Sequence, residues 1–173
     1  MGGINWACLF GSSFGTCGRI GAFAHFKVFR GVSMRLSKHL YIVQSSGGLL
    51  RDHNRTWIVG FTRYLGNCEV IDSELWGILD GLQITLDRSF RKVIIRTNNL
   101  EAVNLIHEGV REGSNSALIT RILLFLKLLS HWNLQHIPRE ENSITNRIVK
   151  LRRDRELGLR LVDKNYVMSF LNV

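Results

Sequence analysis

Residues 47–106 read "GGLLRDHNRTWIVGFTRYLGNCEVIDSELWGILDGLQITLDRSFRKVIIRTNNLEAVNLI", and the period of the apolar positions changes three times within them. Two β-rich runs, "SSGGLL" and "WIVGFTRYL", flank the polar turn "RDHNR", which predicts an antiparallel hairpin. Ile71, Leu75, Ile78, Leu79, Leu82 and Leu86 then recur at helical spacing, which predicts a helix over about 71–88 with Asp72 or Ser73 capping its first turn. "KVIIRT", 92–97, is a β-branched strand. Asn98 or Asn99 is placed to cap a helix over "LEAVNLIHE" that stops at Gly109.

Outward from that stretch the pattern continues. Ser116 opens a helix over about 117–129, "WNLQHI" (132–137) alternates as a strand does, "PREENS" is a loop, and "ITNRIVKLRR" has the look of a last helix. Upstream, "LYIV" (40–43) is a short strand candidate, and before position 40 glycines interrupt the chain and no period is sustained. Strands and helices interleave after a hairpin. The expected class is therefore α/β, a mixed central sheet with an antiparallel hairpin and flanking helices. The expected organisation is a basic N-terminal extension over 1–40, a domain over 41–155 and a tail over 156–173.

Composition bounds the function. With 173 residues and 45% hydrophobic content the chain can bury a core, and 21% charged residues exclude a disordered composition. The net charge of +9 is uneven: residues 1–51 contain Arg19, Lys27, Arg30, Arg35, Lys38 and Arg51 and no acid at all. A basic excess of this kind points to polyanions such as nucleic acid, with a solvated basic face as the plainer alternative. Cys8, Cys17 and Cys68 are odd in number and lack metal-ligand spacing, so they read as reduced thiols of an intracellular protein, in nucleus or cytoplasm. The acid-free, Ser-containing start is also compatible with an organelle transit peptide, and no apolar run is long enough to span a membrane.

The order of motifs resembles the plant ribonuclease H-like domain, the reverse-transcriptase-associated type of retrotransposon-derived proteins. The residues that carry the resemblance are "GGLLRD", "WIVGF", "SELWG", "RTNNLEAV", "REEN" and "ITN", over about residues 47–151. It implies a ribonuclease H-like fold, metal-dependent hydrolysis of the RNA strand of RNA–DNA hybrids, magnesium as cofactor, and nucleic acid, either hybrid or RNA, as partner. Such chemistry needs clustered carboxylates, because paired divalent ions about 4 Å apart repel each other strongly.

Carried over position by position, the family's second carboxylate falls on Glu74. The third falls on Asn98 and the fourth on Asn146. For the first, the only candidate is the place of Arg30 in "KVFRG", and no acid lies anywhere in residues 1–51. The residue before the family's T-D step, an acid there, is Arg96, which is expected to add positive charge at the same spot. Glu74 is thus read as a remnant of the catalytic and metal site, with no magnesium expected to bind. Arg147, Lys150 and Arg152, in the basic run "RIVKLRRDR", are the candidate phosphate contacts.

Plainer readings stand beside these. Glu74 alone would pass for a first-turn acid favoured by the helix dipole. Asp72 and Asp80 are expected to face solvent, Trp57 and Trp76 to join the core, and His53, His107, His131 and His136 to have no role. Three functions follow: a nucleic-acid-binding domain that has lost cleavage, an active hybrid ribonuclease, or a protein without either role, being a non-catalytic interaction module or the product of a decaying transposon-derived gene. The residues favour the first. Oligomeric state stays open.

Overall fold

The computed structural model describes residues 23–30, 43–142, 157–165 and 169. The first strand, β1 (Phe23–Arg30), comes from the stretch where no element was expected. Ala24, Phe26 and Val28 are fully buried while His25 and Lys27 between them are half-buried. That is a two-residue period, hidden in the sequence because Phe23 puts an apolar residue on the polar face as well.

β2 (Val43–Arg51) and β3 (Trp57–Asn67) form the predicted hairpin. In its turn the Asp52 carboxylate accepts the Thr56 N–H at 2.8 Å, and Arg55 takes a positive φ of 63°. Next comes α1 (Val70–Asp87), capped by Glu69 with no side-chain bond; Ser73 instead donates its hydroxyl to the Val70 carbonyl, so neither Asp72 nor Ser73 is the cap. β4 (Lys92–Thr97) leads to α2 (Leu100–Glu112), where the Asn99 side chain accepts the Ala102 N–H at 3.0 Å as a cap should. α2 runs through Gly109 rather than stopping there, and Gly113, at φ 81°, closes it. α3 (Ala117–Lys127) is capped by Ser116, β5 (His131–His136) follows, and the expected loop holds a short 3₁₀ turn, Arg139–Asn142.

The sheet is six-stranded, in the order β5-β4-β1-β2-β3-β6, where β6 (Gly158–Val162) pairs antiparallel with β3. β1 is parallel to β4, and β4 to β5; the β1–β2 and β2–β3 pairs are antiparallel. Two strands, β1 and β6, therefore lie outside the 41–155 span expected for the domain. The expected helix over 144–153 and the start of "LYIV" fall outside the described residues.

α1 is buried along most of its surface between the sheet and α3, with Leu75, Ile78, Leu79, Leu82 and Ile84 in the core. Its close approach to the sheet depends on two glycines. A Cβ on Gly77 would meet the Val28 side chain at 2.5 Å, and one on Gly81 would meet the Phe26 ring at 2.6 Å. No described helix is long and apolar enough to cross a membrane.

Candidate functional site

β1 and β4 are parallel neighbours whose chains leave in opposite directions, β1 toward β2 and β4 through α2 and α3 toward β5. Open α/β sheets bind ligands in the crevice beyond the carboxyl ends of such a strand pair. Thr97, the last residue of β4, pairs with Val28. Position 30, the last of β1, lies two residues past Val28.

Glu74 reaches this end of the sheet from α1. It is 2% exposed, and its Oε2 accepts the Thr97 hydroxyl at 3.1 Å. The same Thr97 oxygen accepts the Asn99 N–H at 3.2 Å, and Asn99 in turn caps α2. Glu74 is the fifth residue of α1 and buried, so it is not the solvated first-turn acid of the plainer reading. Asn98, half-buried, lies at the end of β4, one residue after the Thr97 that bonds Glu74. Asn146, Arg147, Lys150 and Arg152 lie outside the described residues. Among the described residues no group of three or more His, Cys, Asp or Glu side chains is gathered as a metal site.

Asp80 is a correction. Expected to face solvent, it is 4% exposed and bound bidentately by Arg63, Nε to Oδ2 at 2.6 Å and an Nη to Oδ1 at 2.7 Å. Burial pushes its carboxyl above the ordinary value, and the Arg63 hydrogen bonds and charge pull it partly back. Asp72 too is half-buried. The Arg63 guanidinium lies 4.7 Å from the centroid of the Trp76 ring and that of Arg121 lies 5.7 Å from it. Trp57 and Trp76 are both half-buried, and Trp76 packs against the core as expected.

Arg96 is a second correction. Val93, Ile95 and Thr97 face α1, and the alternation of β4 turns Arg96 to the other side of the sheet, where its Nε donates to Gln135 Oε1 at 3.1 Å. There it lines a groove of about 530 Å³ together with His25, Lys27, Arg51, His53 and Arg55, over a floor of Leu49 and Ile137. The sequence gives no local signal for this groove, because its residues come from four strands and a hairpin turn and meet only through register.

Comparison with known proteins places this geometry. Residues 43–151 match the model of a family described as reverse transcriptase-like. A protein of Arabidopsis thaliana that carries the provisional name ribonuclease H protein is 25% identical over 121 residues, 69% of this chain; the chain spans only 19% of that relative's length. The N-terminal RNase H domain of Rv2228c from Mycobacterium tuberculosis superposes with a TM-score of 0.63 at 13% identity, over 75% of this chain and 91% of that one. LC11-RNase H1, solved in complex with an RNA/DNA hybrid, superposes at 0.52 with 15% identity, over 70% and 90% of the two chains. At such identities the two structures establish a shared fold.

Proposed function

The chain belongs to the reverse transcriptase-like family and carries a ribonuclease H-like domain, and from that premise we propose that it binds nucleic acid, an RNA–DNA hybrid or RNA, without cleaving it. The observation that carries the reading is the donor set at the ends of β1 and β4. Glu74 is a carboxylate there, Asn98 stands where the family has its third acid, and residues 1–51 contain no acid to serve as the first.

The metal chemistry of the family sets the requirement. Two divalent ions about 4 Å apart repel by roughly 16 kcal/mol at an effective dielectric near 20, four times the value for unit charges. Several carboxylates and the scissile phosphate offset that repulsion where the site works. Here Asn98 offers at most a neutral oxygen, Asn99 uses its side-chain oxygen to cap α2, and Glu74 already receives the Thr97 hydroxyl. These residues do not fit a pair of magnesium ions, and no hydrolytic step is derived through them. What remains is a strand-end crevice in a basic chain, with a net charge of +9 to attract phosphates. The hybrid bound to LC11-RNase H1 supports hybrid as the ligand class.

Purified protein incubated with labelled hybrid and magnesium or manganese is expected to give no cleavage above that of Glu74→Gln, while binding the hybrid with an affinity that falls steeply with salt. Turnover abolished by Glu74→Gln would restore the active enzyme. Absence of hybrid binding at low salt would leave a non-catalytic interaction module.

A further inference from the structure

The face of the sheet turned away from α1 carries a cluster of cations. Register aligns them: Leu49, Lys27, Arg96 and Gln135 are successive partners across β2, β1, β4 and β5, and Arg51 pairs with His25 in the neighbouring row. Lys27 and Arg96 are directly opposed like charges, an arrangement that costs stability in a sheet unless something else holds it.

Among the described residues, cations outnumber the acids that face them here. Among the groove residues Lys27, Arg51, Arg55 and Arg96 carry formal positive charge, His25 and His53 add titratable nitrogens, and Glu141 supplies one negative charge. The Lys27 ammonium donates to the Glu141 backbone carbonyl at 2.7 Å rather than to its carboxylate. Asp52, beside the rim, spends a carboxylate oxygen on the Thr56 N–H. The Arg51 Nε is buried with no hydrogen-bond partner among the described residues. Burial and then the surrounding cations hold His25, Lys27 and Arg51 below their ordinary values, Arg96 acting on the first two and Arg55 on all three.

We propose that this groove is a phosphate-binding site on the opposite face of the sheet from Glu74, taking the phosphate groups of either a polynucleotide strand or a free oligophosphate. Its volume, about 530 Å³, suits a ligand of nucleotide size. Guanidinium forks suit phosphate oxygens bidentately, and an anion here would satisfy the Arg51 Nε and relieve the Lys27–Arg96 opposition together. The site stands independently of the hybrid-binding crevice, because its residues belong to the other face.

The test titrates the full chain at low salt with sodium tripolyphosphate and, separately, with a single-stranded RNA 12-mer, by calorimetry. Arg51→Gln and Arg96→Gln are each expected to weaken binding at least tenfold, and the salt slope for the 12-mer to fall by about one per charge removed. Lys127→Gln, an exposed cation on α3, is the charge control and Glu74→Gln the crevice control; both are expected to leave tripolyphosphate affinity unchanged. Tripolyphosphate binding lost in the groove variants marks free oligophosphate as a source, and loss confined to the 12-mer marks polynucleotide. A loss in Lys127→Gln equal to that in Arg51→Gln, or no binding of either probe, overturns the proposal. Should the arginine variants not fold, the His25 imidazole of the unaltered protein gives a second readout by NMR titration. Its pKa is expected to rise when tripolyphosphate is added, and no movement is equally fatal.

Discussion

A buried carboxylate on a helix has different meanings at Glu74 and Asp80, six residues apart. Glu74 meets the Thr97 hydroxyl at the carboxyl end of β4, whereas Asp80 is clamped by an arginine from β3 that also stacks on Trp76. Taking two charges out of water costs several kcal/mol, so such a pair stabilises little in total, yet removing one member leaves the other uncompensated. Because the Arg63 side chain keeps 21% of its surface exposed, its charge can turn toward water once freed. Asp80→Ala is accordingly expected to cost about 2–4 kcal/mol, toward the lower end for a broken buried pair. Combined with Arg63→Ala it should show a coupling of at least about 1 kcal/mol in a double-mutant cycle by urea unfolding. Strict additivity would mean that the clamp contributes nothing.

Whole elements are positioned by what is missing as much as by what is present. α1 lies close enough to β1 for Gly81 to touch the Phe26 ring, and Phe26 is fully buried with nowhere to retreat. Alanine is intrinsically better than glycine in a helix by about 1 kcal/mol. Overpacking a filled core costs about 1–3 kcal/mol, so the packing term is expected to win. Gly81→Ala should lower the urea midpoint with the unfolding slope unchanged; a raised midpoint would show that the helix can lift without loss. The same helix carries Glu74 to Thr97, which ties this close helix–sheet contact to the candidate site.

Across the molecule, charge is partitioned by face: one side of the sheet is covered by α1, and the other gathers cations. His25 on that second side is faced by Arg51 from β2, by Arg96 from β4, and by Arg55, His53 and Asp52 from the hairpin turn. Burial first, and then these cations, hold its imidazole below the ordinary 6.5. In the window between the folded and unfolded values the unfolded chain binds a proton that the native state refuses. Stability from this group is therefore full above about pH 6.5 and falls as pH drops through the folded value. His25→Gln is expected to flatten stability against pH in that window, checked by urea unfolding at a series of pH values; an unchanged profile would assign the acid sensitivity elsewhere. The hairpin, α1, β4 and the Asn99 cap were legible from residue 47 onward because each rests on local period or local hydrogen bonding. Sequence by itself also determined the identities at 98 and 146 and the absence of acids before position 52, on which the proposed loss of cleavage rests, since none of these depends on coordinates. Only the tertiary structure decided that Asp80 is buried, that β1 is central, and that Arg96 joins His25, Lys27 and Arg51 on the far face. Those facts depend on which strands become neighbours and in what register, and pairings between residues dozens of positions apart leave no periodic trace in the chain.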